Sequence, residues 1–171
     1  ALLVVTPAYN KPTQEGLRLH FLAVAENTRL PIVLYNVPGR TAVDLLPPTV
    51  AALAAHPRIV AIKEATGSLA RASELRALTP DRAFTILSGD DPTVFPFVEQ
   101  GGDGCISVAS NVVPAAMVSL VRGAKAAAGS PEHAAASALN ATLAPLFSAL
   151  FVEPNPIPVK TGVAWLGLIP S

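Results

Sequence analysis

A single cysteine, Cys105, is found in 171 residues. That excludes a disulfide framework within the chain and a cysteine-based zinc site, and it suits a reducing compartment. Charge is equally sparse. Only 14% of the residues are Asp, Glu, Lys or Arg, and the signs cancel to a formal net charge of zero, so no basic field exists to hold nucleic acid or an anionic membrane. Apolar runs are broken by Pro, Gly or polar residues before they reach the roughly 18 residues of a membrane span, and no basic segment with an apolar core opens the chain. Also missing are a Gly-x-Ser-x-Gly elbow, spaced zinc or calcium ligands, and a glycine-rich phosphate loop after the first strand. His20, His56 and His133 lie far apart and are expected at the surface. Trp165 and Met117 are expected in a core or an interface. The expectation is a cytoplasmic globular domain without a metal, acting on a small molecule or another protein.

What the chain does contain is apolar: 51% of it is hydrophobic, enough for a sizeable core in one domain. It opens on Ala1-Leu2-Leu3-Val4-Val5, strand-like and without an initiator Met, and reads as part of something longer. Strands are expected at 1–5, 31–35, 59–64, 84–87 and 105–108. Helices are expected from Thr13 as cap to about Thr28, from Pro47 or Pro48 to about His56, and from Ser68 as cap to about Leu78. Further helices follow from Asp91 as cap to about Gln100, from Asn111 to about Ala128, from Ser130 to Leu150, and from Pro158 to about Leu166. Gly101-Gly102-Asp103-Gly104 reads as a tight helix-to-strand turn. Alternating strands and helices imply right-handed crossovers and a parallel sheet. Tyr9, Tyr35, Arg40, Lys63, Ser88 and Ile106 all fall at or just beyond strand C-termini, the face on which α/β barrels build their sites, and this favours a barrel over an open doubly wound sheet.

Chemically, the informative stretch is Ile59-Val60-Ala61-Ile62-Lys63-Glu64-Ala65-Thr66-Gly67. A run this apolar belongs to a strand buried on both faces, and an ammonium group at its end is expensive. Lys63 is either a rim lysine paired with Glu64 or Asp90, or an amine kept available as a nucleophile. Tyr35 ends the preceding strand, so its hydroxyl can converge on the same rim and pass protons during imine chemistry. Arg40, in the loop after Tyr35, has the fork geometry for a carboxylate. Ser88-Gly89-Asp90-Asp91 either exposes backbone groups to a ligand or is only a turn and a cap.

Four segments carry a resemblance: Tyr35-Asn36-Val37-Pro38-Gly39-Arg40-Thr41, Ile62-Lys63-Glu64-Ala65-Thr66-Gly67, Leu87-Ser88-Gly89-Asp90-Asp91, and Phe151-Val152-Glu153-Pro154-Asn155-Pro156-Ile157-Pro158-Val159-Lys160. In this order they resemble the dihydrodipicolinate synthase (4-hydroxy-tetrahydrodipicolinate synthase) family of pyruvate-dependent lyases. The resemblance implies an α/β fold, a (β/α)8 TIM barrel present in part, from about strand 4 to strand 8. The whole chain, 1–171, would be one domain, with β/α units over 1–129 and a truncated helical extension over 130–171. It implies that Lys63 forms a Schiff base with pyruvate and that the enamine attacks aspartate 4-semialdehyde in lysine biosynthesis. No cofactor is implied beyond that covalent imine. Tyr35 would relay protons, Arg40 would hold a substrate carboxylate, and Gly89 and Ile106 would line the pocket. Tyr9 would cross into the site of a second copy in a homo-oligomer, a dimer of dimers.

Against that pattern, the first three strands and a threonine pair of the relay are absent, as is a closing segment after Gly167-Leu168-Ile169-Pro170-Ser171. Ala8 stands where many members carry a tyrosine linked to feedback binding of lysine. Two alternatives stay open: another pyruvate lyase such as N-acetylneuraminate lyase, and a catalytically inactive barrel fragment.

Overall fold

A computed structural model describes residues 1–80 and 83–170. The strands are β1 (Leu2–Val5), β2 (Ile32–Asn36), β3 (Ile59–Glu64), β4 (Thr85–Ser88) and β5 (Gly104–Cys105), the first four formed by short runs rich in aliphatic residues. All pair in parallel, and each lies beside the next in sequence, in the order β1-β2-β3-β4-β5. Between them run α1 (Gln14–Glu26), the single turn α2 (Pro38–Thr41), α3 (Pro47–Leu53), α4 (Ala70–Leu78) and α5 (Val94–Glu99). Beyond β5 the chain is helical, with α6 (Pro114–Ala124), α7 (Pro131–Ala149) and α8 (Ile157–Trp165). No helix among the described residues is long and apolar enough to cross a membrane.

Strand alternation sorts the side chains into two faces. Ile32, Leu34, Ile62 and Ile86 point to the helix layer and bury against Leu17, Phe21, Leu53, Leu75 and Phe97. The opposite face is open. Leu3 is 49% and Val5 44% exposed there, and Tyr35 and Lys63 lie on it with Leu87 in register. A second core, with Met117, Leu120, Leu143 and Phe147, joins α5, α6 and α7.

Several local expectations need correction. Asp91 is not a helix cap. It starts a 3-10 turn, Asp91–Thr93, and its buried carboxylate reaches across to accept from the backbone N–H groups of Val108 and Ala109 at 3.0 and 2.8 Å. Those bonds curl the chain into a second 3-10 turn, Ala109–Asn111. That is why β5 covers only Gly104–Cys105, although Ile106 N–H still donates to Ser88 O at 2.8 Å. The helix after it begins at Pro114, whose ring is accommodated at the first helical position, and ends at Ala124. Ser68 caps nothing with its side chain, and α4 starts at Ala70. The exit loop after β2 contains α2.

The cap reading at Thr13 stands, its hydroxyl accepting from Gly16 N–H at 3.2 Å, and at the start of α7 the Ser130 hydroxyl accepts from His133 N–H, also at 3.2 Å. Met117 is buried, whereas Trp165 is largely exposed and belongs to no core. His133 is only partly exposed, its Nε2 lying 2.7 Å from Glu99 Oε1.

Candidate functional site

Tyr35 and Lys63 are direct partners across β2 and β3. Because paired residues on neighbouring strands project to the same face, both side chains emerge together at the C-terminal rim. The Lys63 ammonium lies over the Tyr35 ring, 4.2 Å from its centroid. This is a cation-π contact with the ring face, an attraction worth roughly 0.5–2 kcal/mol depending on desolvation.

Neither proposed ion-pair partner reaches the lysine. Glu64 projects to the opposite face of β3, as alternation requires, and Asp90 Oδ2 accepts from Thr93 Oγ1 at 2.7 Å. Among the described residues the lysine takes part in no salt bridge. It is a half-buried amine on an apolar strand, facing an open cavity.

Gly89 explains how the chain after β4 passes this close. A Cβ at Gly89 would lie 2.8 Å from Lys63 Cε and 2.8 Å from Ala65 Cβ, so any larger residue would displace the lysine. The loop is pinned by Gly89 N–H donating to Glu64 O at 2.7 Å. Of the readings of Ser88-Gly89-Asp90-Asp91 the turn is present, without Asp91 as a helix cap, and it holds a glycine against the Lys63 side chain.

Lys63 and Ile106 line one cavity of about 430 Å³, together with Ser107, Asn111, Asn155 and Lys160. Its polar lining is cationic or neutral, without a carboxylate, which suits an anionic ligand. Asn155 and Lys160 were missed as site residues, although both belong to one of the four segments quoted above. What hid them is that only the packing of α8 against the Ala109–Asn111 turn brings them to the cavity.

Arg40 and Tyr9 are placed differently. Arg40 is exposed at the end of α2, and Tyr9 is fully exposed on the loop after β1. Neither lines the Lys63 cavity. Both follow strand C-termini, so they are on the same end of the sheet as the lysine.

Cys105, on β5, is half-buried. Burial, with a smaller contribution from the Asp91 charge, pushes its thiol up to about 11, which leaves it protonated and unreactive at neutral pH. Among the described residues, no group of three or more His, Cys, Asp or Glu side chains gathers as a metal-binding set.

Comparison with known proteins extends over the whole chain. The 4-hydroxy-tetrahydrodipicolinate synthase of Methylococcus capsulatus is 53% identical over 169 residues, which is 99% of this chain and 56% of that protein. That of Thermodesulfovibrio yellowstonii is 52% identical over the same shares of the two chains. Among solved structures, the chloride-inhibited dihydrodipicolinate synthase from Acinetobacter baumannii complexed with pyruvate superposes with a TM-score of 0.88 at 47% identity. That match covers 98% of this chain and 56% of the other. The chain thus spans a little over half the length of the relatives it matches. A profile of the dihydrodipicolinate synthetase family matches residues 1–171 from end to end, and to that family this chain belongs.

Proposed function

We propose that the chain carries the Schiff-base half of a 4-hydroxy-tetrahydrodipicolinate synthase, condensing pyruvate with aspartate 4-semialdehyde in lysine biosynthesis. The observation that carries this reading is Lys63: an amine in no salt bridge among the described residues, held over the Tyr35 ring in a cavity with no carboxylate among its described lining residues. In its free-base form Lys63 adds to the pyruvate ketone, and loss of water gives an imine. Removal of a methyl proton from the imine gives an enamine, whose carbon attacks the aldehyde; hydrolysis then frees the lysine.

Tyr35 is assigned the proton relay through its hydroxyl. Gly89 leaves room for the imine, and Ile106 lines the pocket. Arg40 is assigned the carboxylate of the incoming substrate, and Tyr9 is assigned to the site of a second copy. Full exposure of Tyr9 is compatible with such a role in a homo-oligomer, a dimer of dimers. The sequential parallel strand order supports a single domain that forms part of a (β/α)8 barrel, with α7 and α8 as its C-terminal helical extension. The imine is the only covalent adduct required, and the setting is cytoplasmic.

Borohydride reduction in the presence of pyruvate, followed by mass spectrometry, tests the amine. A reduced adduct on Lys63, lost in Lys63→Ala, is expected. Condensation with aspartate 4-semialdehyde, set against cleavage of a sialic acid, tests the acceptor; cleavage without condensation would sink the assignment. A second reading, a catalytically inactive partial barrel, is favoured by the open sheet face with its half-exposed Leu3 and Val5. Absence of any adduct would establish it.

A further inference from the structure

The residues that follow Tyr35 and Lys63 in sequence are as unusual as the pair itself. Asn36 and Glu64 are the next partners across β2 and β3, and alternation turns both to the helix side. There Asn36 is fully buried and Glu64 is 3% exposed. A carboxylate so placed is costly unless its oxygens are met. They are met: Glu64 Oε2 accepts from Asn36 Nδ2 at 3.1 Å, and Oε1 accepts from Thr66 N–H at 2.8 Å.

Asn36 cannot turn over to suit another partner. Its Oδ1 accepts from Leu45 N–H at 3.0 Å, while its Nδ2 also donates to Asp44 Oδ1 at 2.7 Å. A backbone N–H on one side and a carboxylate on the other fix the orientation of the amide. Asp44 in turn pairs with Arg71 of α4. Glu64 is tied to the third site position as well, since its carbonyl accepts from Gly89 N–H. Through its side chain Glu64 therefore links the ends of β2 and β3 and the β3 exit loop, and through its backbone carbonyl it holds the glycine beside the lysine.

We propose that Glu64 is a positioning residue for the Lys63–Tyr35 pair: held by Asn36 and Thr66, its carboxylate fixes the strand ends so that the ammonium rests over the ring. The assignment of a reaction rests on the reading given above, but the positioning does not. Glu64→Gln conserves shape and removes one acceptor. Its amide NH2 must then face either the Asn36 Nδ2 or the Thr66 N–H, donor against donor. Nothing on the cavity side of the sheet is altered by the substitution itself.

The test has two readouts on the full 171-residue chain. The first is the ring-current displacement of the Lys63 ε-methylene resonances, assigned by its loss in Tyr35→Leu. Glu64→Gln is expected to reduce that displacement by at least about half while far-UV circular dichroism is unchanged, as a misplaced rather than unfolded pair requires. The second is the rate of borohydride trapping with pyruvate, expected to fall at least about 10-fold at saturating pyruvate.

An unchanged displacement in Glu64→Gln overturns the proposal, whatever the trapping rate. If the displacement falls but the parent chain traps no pyruvate, the positioning stands and the functional reading fails. Should Glu64→Gln not fold, Asp44→Asn loosens Asn36 from its other side. A smaller loss of displacement supports the proposal, and none overturns it.

Discussion

Lys63 shows how strongly a single position depends on its neighbours. Ending an aliphatic strand makes it a suspect nucleophile, but the choice between a rim ion pair and a free amine turns on where Glu64 points. Alternation sends that carboxylate to the other face of β3, and its chemistry follows from burial. Desolvation pushes the Glu64 carboxyl above the ordinary glutamate range, against the opposing hydrogen bonds from Asn36 and Thr66 and the charge of Arg71. With the folded-state pKa raised, the contribution of Glu64 to stability is full below the unfolded value of about 4.3. It is lost as pH rises through the folded-state value. Denaturant unfolding across that window should therefore show the parent chain losing stability relative to Glu64→Gln as pH increases. A difference that stays flat with pH would remove this account.

Cys105 offers a second check at this scale. With its thiol pushed up to about 11, iodoacetamide should modify it at pH 8 roughly 100-fold more slowly than an unperturbed cysteine with a pKa near 8.5. Peptide mapping after timed quenching reads this directly. Labelling as fast as free cysteine would mean that the side chain is more open than its surroundings imply.

At the scale of elements, the strands are the part most readable from residue order. Runs such as Ile32-Val33-Leu34 and Ile59-Val60-Ala61-Ile62 have β-branched side chains and turn residues at their ends, and each forms a strand where expected. Helix ends are less readable, because a cap depends on where a side chain can reach. Asp91 looks like a cap beside Pro92, yet the Val108 and Ala109 N–H groups lie within its reach and win it. No local pattern reports a partner that far along the chain.

The contact between α6 and α7 makes a sharper prediction. A Cβ at Gly123 would lie 2.3 Å from Ala136 Cβ and 2.8 Å from Glu132 O. Helix propensity alone favours Gly123→Ala by about 1 kcal/mol. The clash involves a backbone oxygen that cannot swing aside, and forcing two helices apart typically costs about 1–3 kcal/mol. Gly123→Ala should therefore be destabilising, with a lower urea midpoint at unchanged slope. A gain in stability would show that α6 and α7 can part at little cost.

For the molecule as a whole, the sheet is asymmetric. Its helix face is sealed by Leu17, Phe21, Leu75 and Phe97, while the other carries Leu3 and Val5 half in solvent, and β1 is an edge. Open apolar faces and unpaired edges both promote association. A polypeptide of these 171 residues should bind the dye ANS and elute at sizes that grow with concentration. Leu3→Thr with Val5→Thr, which keeps strand propensity, should lower dye fluorescence at least about twofold. A dark, concentration-independent monomer would contradict this reading of the face.

Residue order by itself determined the α/β alternation, the five strands, the capping of α1, the start of α7, and the suspicion that falls on Lys63 and Tyr35. Each of these rests on a periodicity or a neighbour close in sequence. Tertiary structure alone decided that Lys63 meets the face of Tyr35 rather than an acid, and that Gly89 is needed beside it. It also decided that Glu64 is tied to Asn36 and that Asn155 and Lys160 join the cavity. These contacts run between segments tens of residues apart, and only strand register and the return of α8 bring such segments within a few ångströms.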